Sequence, residues 1–402
     1  MPASNSALKV LWHWHTMGPY HLARMKALSQ RPEIELTVVE SSCVDDHKWK
    51  RVESHDDLRV VSLTSKSNGA GTSANLRAAL AGILDSRRPD VVVATGYAEA
   101  HSLIPLFAYR YSNPSTLAIL WSESTLVDHP RKWFKETLKT LSVSAFDGAL
   151  VAGTQHALYL RRLGMRAADM QIVGNCVDNE FFSVRAEEER QRARTSLNSD
   201  SLPDSFFLYV GRMIRAKNLY RLIKAYGVYR EQGGSTAWDL VLVGSGPEEM
   251  SLRRHVNKCS VKGVWFAGLR QIDELPFYYA RAKCFVLPSI SEPWGLVINE
   301  AMASKLPVLV SNRCGCVADL VREGVNGFVF DPLDTRSLVE LLVKVSSSRI
   351  SLERLGANAQ KMIANYSPLL FAERASRHFK RLYDRKTQFS QSGPRTFSRG
   401  FT

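Results

Sequence analysis

Short apolar runs alternate along the whole chain with longer segments whose apolar residues recur every three or four positions. This alternation predicts an α/β protein with parallel sheets, because strands that alternate with helices form βαβ units. The predicted strands of the first half are Leu8–Trp14, Ile34–Glu40, Leu58–Leu63, Val91–Thr95, Leu117–Trp121 and Gly148–Val151. Those of the second half are Phe206–Val210, Leu240–Val243, Val264–Ala267, Cys284–Leu287, Val308–Ser311 and Phe328–Phe330.

The same pattern divides the chain into two halves. Residues 184–204 are highly charged and then rich in Ser, Asp and Pro, a composition typical of a connection between domains. We therefore expect one domain over residues 1–183 and a second over 205–367. Residues 368–385 carry apolar side chains at near-helical spacing and predict a final helix. Residues 386–402 are polar, with little to bury, and predict a disordered tail.

The composition is ordinary for a globular protein, with 45% hydrophobic and 23% charged residues. The length of 402 residues is sufficient for two domains, each with its own core. No apolar run approaches the roughly 18 to 20 residues that span a bilayer, and the first residues lack the basic segment that opens a signal peptide. Of the six cysteines only Cys314 and Cys316 are close together, which favours a reducing compartment over a disulfide framework. We expect a cytoplasmic protein.

The net charge of +14 has three candidate explanations. Lys and Arg neutralise phosphates in nucleic-acid binding, but the chain shows no zinc-finger, RNP-type or basic-zipper pattern, so we expect no nucleic-acid partner. An anionic membrane surface is the second candidate. The third is a basic background together with a cleft that holds a pyrophosphate.

Two carboxylates, Glu292 and Glu300, stand eight residues apart just after the predicted strand that ends at Leu287. Between them Pro293 suits an early helical position and Gly295 leaves the backbone bare. The N-terminus of such a helix offers free N–H groups and partial positive charge to an anion. We expect the two carboxylates to reach hydroxyl groups on either side of that anion. A nucleoside-diphosphate sugar has this arrangement, an anion flanked by rings that carry hydroxyl groups.

Residues 292–300 resemble the E-x7-E motif of retaining glycosyltransferases of the GT-B fold, specifically family 4. Two more segments agree with this resemblance. Residues 207–212, followed by Lys217-Asn218, are similar to the family's strand, Gly-Arg and Lys-Asn segment. Residues 319–321 and 324–328 resemble the strand and turn that follow the motif. The resemblance is strong over about residues 205 to 335 and weak in the first half.

The resemblance implies two Rossmann-like domains that face each other across a donor and acceptor cleft, with the last helix packed back on the first domain. It implies transfer of a hexose from a UDP- or GDP-linked sugar, with retention of configuration, to a glycan or lipid-linked acceptor in polysaccharide or glycoconjugate biosynthesis. The alternative is a sugar-nucleotide-binding protein of the same fold without catalytic activity.

The resemblance also assigns roles to residues. Arg212 and Lys217 correspond to the pair that contacts the pyrophosphate, Glu292 to the residue at the donor sugar, and Glu300 to the residue at the ribose hydroxyls. The candidate catalytic residues are therefore Arg212, Lys217 and Glu292. The candidate donor-binding residues are Gly18, Gly211, Leu269, Gly295, Leu296, Val297 and Glu300.

We expect neither a divalent metal nor a cofactor. Enzymes of another fold hold the metal with an Asp-x-Asp motif, and no two aspartates here have that spacing. The cations Arg212 and Lys217 are the natural substitutes. Gly244-Ser245-Gly246 follows a predicted strand, but Glu249 stands where a dinucleotide fingerprint has its third glycine. A tight turn is the preferred interpretation, and it disfavours an NAD-dependent oxidoreductase.

The acceptor-side candidates are His15, His21, His101 and Glu123. Family members often have a His-Asp pair where this chain has Ser122-Glu123-Ser124, so no histidine role transfers to that position. His13 alternates with His15 on a strand, but a third ligand for a metal is missing.

Residues 130–143 mix basic and aromatic side chains at helical spacing. Such a helix docks on an anionic membrane, or it packs on its own domain with its cations in solvent. The second interpretation is preferred here.

Overall fold

The structure is a computed structural model that describes residues 7–42, 58–64, 72–97, 100–128, 131–195, 202–347 and 349–391. Two parallel sheets form its framework. The first has the strand order β3-β2-β1-β4-β5-β6-β7 and the second β10-β9-β8-β11-β12-β13. The strands are β1 Leu8–Trp14, β2 Ile34–Glu40, β3 Val60–Ser62, β4 Val91–Thr95, β5 Leu117–Ser122, β6 Gly148–Val151, β7 Met170–Ile172, β8 Phe206–Val210, β9 Asp239–Val243, β10 Val264–Gly268, β11 Cys284–Leu287, β12 Val308–Ser311 and β13 Gly327–Phe330.

Helices connect the strands and cover the faces of both sheets. They are α1 Pro19–Ser29, α2 Ser73–Arg87, α3 Ala100–Ser112, α4 Trp133–Ser144, α5 Thr154–Arg162, α6 Asn179–Thr195, α7 Leu219–Gly233, α8 Glu249–Lys258, α9 Leu275–Arg281, α10 Leu296–Ala303, α11 Val317–Leu320, α12 Thr335–Ser346, α13 Leu352–Ile363 and α14 Pro368–Gln391. Both units are Rossmann-like, so the α/β class with two parallel sheets is confirmed. No helix within the described ranges is long and apolar enough to cross a membrane.

Every predicted strand has a counterpart in the structure, and the limits differ by two residues at most. The strand that the sequence analysis missed is β7, at the edge of the first sheet. It has three residues, all only partly buried, so it is too short to form an apolar run that the sequence could reveal.

The predicted connection between the domains begins as a helix. Residues 184–195 belong to α6, and their charges pair along it, with Arg185 to Glu188 at 3.1 Å and Arg192 to Glu189 at 2.8 Å. Glu189 also accepts from Arg281 of the second domain, 3.0 Å away. The high charge density therefore belongs to an ion-paired helix surface that contacts the second domain.

The last helix is longer than expected and returns to the first domain. The prediction of disorder from residue 386 is wrong for residues 386–391, because α14 continues to Gln391; residues 392–402 lie outside the described part. Lys386 donates to the carbonyl of Thr116 over 2.7 Å, which fixes this end. Earlier in α14, Phe379 is completely buried, and its ring centroid lies 6.3 Å from that of Trp12 in β1.

The two domains meet at the carboxyl ends of their strands. At the start of α5, Thr154 donates its hydroxyl to Asp319 over 2.7 Å and its backbone N–H to the same carboxylate over 3.0 Å. Ser291, in the loop after β11, donates to the carbonyl of Asp128 over 2.7 Å. These contacts place the loop that contains Glu292 against the first domain.

Truncation of the α14 side chain that packs on Trp12 is expected to destabilise the protein strongly. Phe379→Ala removes a fully buried ring and leaves a cavity, so the free energy of unfolding falls by about 3–5 kcal/mol. Leu369→Ala, on the same helix at a side chain 69% exposed, is the control and changes stability by about 0.5 kcal/mol or less. Urea unfolding followed by circular dichroism measures both; equal effects would contradict the packing.

Candidate active site

A cavity of about 530 Å³ lies between the carboxyl ends of the two sheets. The first domain lines it with His15, Thr16, Gly18, Pro19, Tyr20, His21, Arg24, Glu123 and Asn175. The second domain lines it with Arg212, Lys217, Glu292, Pro293, Trp294, Gly295, Leu296, Val297 and Glu300. Both carboxylates of the E-x7-E segment and both candidate phosphate-binding cations therefore surround one cavity.

Helix α10 starts in this cavity. Gly295 precedes it as the N-cap with φ +101°, a left-handed conformation that favours glycine. A Cβ at this position would also lie 3.1 Å from the side chain of Leu287. The expectation of Pro293 at an early helical position is wrong, because the left-handed residue separates Pro293 from the helix. The carbonyl of Pro293 instead lies 3.0 Å from Nε2 of His156 in the first domain.

Glu300 is completely buried on α10. Tyr20 donates its hydroxyl to one carboxylate oxygen over 2.7 Å, and Tyr279 donates to the other over 2.8 Å. Burial raises the pKa of Glu300 to about 7, and the two hydroxyl donors pull the pKa down because they stabilise the ionised form. One donor comes from each domain, so this carboxylate is a point of contact between the domains.

Glu292 forms an ion pair with Lys217, and both side chains are mostly buried. Ser289 also donates to Glu292 over 3.3 Å. The Lys217 loop is held in place by the next residue, Asn218, whose side chain donates to the carbonyls of Pro288 (3.1 Å) and Pro332 (2.8 Å). The Lys-Asn segment is thereby fixed to the loop that precedes the E-x7-E segment.

Arg212 follows β8, and its exposed side chain lines the cavity. The turn behind it packs closely, since a Cβ on Gly244 would lie 2.0 Å from the carbonyl oxygen of Gly211. One on Gly246 would lie 2.4 Å from that of Met213. The Gly244-Ser245-Gly246 sequence thus lets two loops approach each other at the back of the site.

On the first domain, Gly18 donates its N–H to Nδ1 of His21 over 3.0 Å. Glu123 accepts from the side chain of Asn175 over 2.6 Å. The structure brings His15, His21 and Glu123 to the cavity, but His101 does not line it. His101 lies behind, where the Ser41 hydroxyl is 3.1 Å from its Nε2.

Neighbouring His13 is buried, with its Nε2 2.7 Å from the Ser41 hydroxyl. Burial, together with His101 and His15, lowers the pKa of His13 to about 3. This histidine is therefore neutral at physiological pH. Across the described ranges, no group of three His, Cys, Asp or Glu side chains is arranged to hold a metal ion.

Two donor candidates lie outside the cavity lining. Gly211 precedes the lining residue Arg212 and packs against the turn described above. Leu269 follows the edge strand β10 and is 41% exposed. In the sheet order β9 separates β10 from β8, so a nucleotide would have to extend past β9 to contact Leu269.

The sequence analysis missed a chain of buried polar groups that joins the two domains. Arg24 donates to Asn175 over 2.6 Å, and its guanidinium lies over the rings of Trp14 and Trp121, each at 5.5 Å. The carbonyl of Asn175 accepts from Asn299 of α10 over 2.9 Å. In the sequence, Arg24 stands four residues after Tyr20, so both could have been predicted on one side of a helix that follows Gly18-Pro19.

Trp294, two residues after Glu292, is almost completely buried. Its indole N–H donates to the side-chain oxygen of Asn299 over 2.9 Å. A phenylalanine has no such donor. The tryptophan therefore orients the amide that contacts the first domain.

Comparison with known proteins relates this site to sugar transfer. Residues 189–362 match the protein family described as Glycosyl transferases group 1. The sulfoquinovosyl transferase SQD2 of Arabidopsis thaliana is 28% identical over 270 residues, which cover 66% of this chain and 48% of that protein. The chain thus spans about half the length of the curated relatives that it matches.

Solved structures show the same fold over nearly the whole chain. The lipopolysaccharide outer core galactosyltransferase WaaB has a TM-score of 0.68 at 16% identity, covering 93% of this chain and 99% of that one. Anabaena HepE in complex with UDP and glucose has a TM-score of 0.65 at 16% identity, covering 96% and 100%. The architecture is therefore the GT-B fold of glycosyltransferases, as the sequence resemblance implied.

The ionisation of Glu300 is expected to control nucleotide affinity. The carboxylate is charged only above its pKa of about 7, and the charged form is the stronger hydrogen-bond acceptor for ribose hydroxyls. UDP or GDP should therefore bind more weakly as the pH falls through 7, by up to about tenfold per pH unit. Glu300→Gln corrects for ionisation of the phosphate itself. Identical pH profiles of the two proteins in calorimetry would contradict the assignment.

Removal of the Tyr20 hydroxyl should affect both stability and ionisation. Tyr20→Phe deprives the buried carboxylate of one donor, which costs about 1–3 kcal/mol of unfolding free energy. It also raises the pKa of Glu300 further, because that hydrogen bond favours the ionised form. Tyr111→Phe, at a tyrosine 89% exposed, is the control. An unchanged pH midpoint of nucleotide binding in Tyr20→Phe would rule out this contact.

Proposed function

We propose that this protein is a glycosyltransferase that takes a hexose from a UDP- or GDP-linked sugar and transfers it, with retention of configuration, to a glycan or lipid-linked acceptor. The reaction belongs to polysaccharide or glycoconjugate biosynthesis and takes place in the cytoplasm. The supporting observation is that Glu292, Glu300, Arg212 and Lys217 all line one cavity between the domains. The match of residues 189–362 to the family Glycosyl transferases group 1 supports the same class of reaction.

The donor is assigned to the second domain on electrostatic grounds. The diphosphate lies at the start of α10, where Gly295 leaves the backbone N–H groups open to an anion. Arg212 and Lys217 neutralise the charge that develops on the β-phosphate as the sugar leaves, in place of a divalent metal. Glu292 contacts the sugar, and Glu300 accepts hydrogen bonds from the ribose.

Lys217 would change partners during this binding. Its ammonium is paired with Glu292, and a diphosphate that enters the cavity brings more negative charge than one carboxylate. The Lys217 ammonium then lies between the phosphate and Glu292. The carboxylate of Glu292 can in turn accept hydrogen bonds from hydroxyl groups of the sugar. Binding of the donor and orientation of Glu292 are coupled in this way.

The chemical step proceeds on one face of the sugar. The bond from C1 to the diphosphate oxygen breaks, the acceptor oxygen bonds to C1 from the same side, and the acceptor proton passes to an oxygen of the β-phosphate. This route needs no strong protein base, which suits a site whose acid on the first domain is Glu123. Glu123, held by Asn175, orients the acceptor hydroxyl.

The competing hypothesis is a sugar-nucleotide-binding protein without transferase activity. It shares the donor site and differs only on the acceptor side, where His15, His21 and Glu123 lie. Both hypotheses predict nucleotide binding, so turnover separates them.

Nucleotide titration tests the donor site. In the presence of EDTA, one of UDP, GDP and ADP should bind to the wild type in calorimetry, and Glu300→Ala should weaken that binding by about tenfold or more, since it removes hydrogen bonds to a charged acceptor. Binding that requires Mg²⁺, or that is equal in the variant, would contradict the proposal.

Removal of either candidate phosphate-binding cation should slow transfer. Arg212→Ala and Lys217→Ala are each expected to lower kcat by about a hundredfold, because they neutralise charge that develops in the transition state. Arg215→Ala removes an exposed cation of the same loop that does not line the cavity, and it should leave kcat nearly unchanged. Release of nucleoside diphosphate from the preferred donor measures all three. Equal rates in the Arg212, Lys217 and Arg215 variants would exclude this role.

A further inference from the structure

Helix α4 carries a row of apolar side chains that the described residues of its domain leave exposed. Phe134, Leu138 and Leu141 follow helical spacing along one side, and they are 46%, 62% and 64% exposed. Trp133, at the first helical position, is 81% exposed. The sequence analysis preferred an amphipathic helix packed on its own domain, but only Val143 of α4 is buried.

The opposite side of α4 is fixed to the protein by polar contacts. Glu136 accepts from Lys139 over 2.8 Å and from the Tyr159 hydroxyl of α5 over 2.9 Å. Glu136 is the helix's single acidic residue, so no carboxylate of α4 lies on the apolar side. The helix is therefore held with its apolar row directed away from the domain.

Positive charge lies next to the apolar row. Lys135, which follows Phe134, and Lys132, at the N-cap, are both exposed. The chain as a whole carries a net charge of +14. An aromatic and aliphatic row with lysines at its edge and no acid is complementary to an anionic lipid surface, where rings enter the headgroup layer and lysines contact lipid phosphates.

The position of α4 relates this surface to the cleft. The helix follows β5, and the connecting loop contains Glu123, which lines the cavity. In the same connecting loop, the carbonyl of Asp128 accepts a hydrogen bond of 2.7 Å from the hydroxyl of Ser291, in the E-x7-E loop. The apolar row thus begins five residues after the point at which this loop contacts the E-x7-E loop.

We propose that the apolar row of α4 docks on the surface of an anionic bilayer and holds the cleft beside lipid-linked acceptors. The reason for docking, delivery of such an acceptor, rests on the proposed function; the docking itself does not. Trp133, Phe134, Leu138 and Leu141 enter the headgroup layer, and Lys132 and Lys135 contact its phosphates.

Vesicle co-sedimentation tests this surface on the full chain. The wild type should sediment with vesicles that contain phosphatidylcholine and phosphatidylglycerol in equal parts, and much less with pure phosphatidylcholine. The fourfold variant, which combines Trp133→Gln, Phe134→Gln, Leu138→Gln and Leu141→Gln, should bind at least about tenfold more weakly, because it loses the apolar area that enters the bilayer. Lys132→Gln with Lys135→Gln should weaken binding roughly fivefold per lysine.

The control is Met250→Gln with Leu369→Gln, which removes two apolar side chains that are 67% and 69% exposed on other helices. It should sediment as the wild type does. UDP and GDP titration of each variant shows that its cleft is folded; if the fourfold variant fails this check, the lysine pair decides the comparison. Vesicle binding without any nucleotide binding would leave the docking intact and refute the proposed function instead.

Three results would overturn the docking proposal. The wild type does not bind the anionic vesicles; the α4 variants sediment with them as strongly as the wild type does; or the wild type is a dimer in analytical ultracentrifugation that the fourfold variant converts to monomer. The last result would assign the apolar row to contact with a second copy of this chain.

Discussion

A carboxylate without a cationic partner is costly to bury, and Glu300 is buried completely at the junction of two domains. Two tyrosine hydroxyls offset part of that cost, Tyr20 from the first domain and Tyr279 from the second. The arrangement of the domains and the ionisation of this acid therefore depend on each other. Its neighbour Asn299 contacts Asn175 across the same junction, so two consecutive residues of α10 contact the first domain.

The charged groups around the cavity occupy different places relative to α10. Glu292 and Lys217 neutralise each other at its start, where an incoming diphosphate encounters Arg212 as a second cation. Glu300, one turn further in, accepts from two neutral donors, the hydroxyls of Tyr20 and Tyr279. A ligand with an anionic centre and hydroxyl groups on both sides matches this order of cation, open helix end and acceptor carboxylate. The geometry explains why one segment of sequence carries so much of the functional signal.

The sequence predicted the framework because its determinants are local. Each buried parallel strand is a short apolar run, and the E-x7-E segment is contiguous. The contacts that complete the site are not local: Tyr20 and Glu300 are 280 positions apart, and no periodicity links them. The start of α10 was misjudged because Pro293 is compatible with a helix, whereas the left-handed backbone of Gly295 decides where the helix begins. In α4, helical spacing predicted amphipathicity, but only the packing of Glu136 on α5 shows that the apolar side is the exposed one.

A crystal structure of the protein with its preferred nucleoside diphosphate tests the central claim most directly. The account predicts the diphosphate at the Gly295 end of α10, within hydrogen-bond distance of Arg212 and Lys217, and a ribose hydroxyl on the Glu300 carboxylate. A nucleotide bound at the Gly244-Ser245-Gly246 turn, or one whose ribose does not contact Glu300, would contradict it.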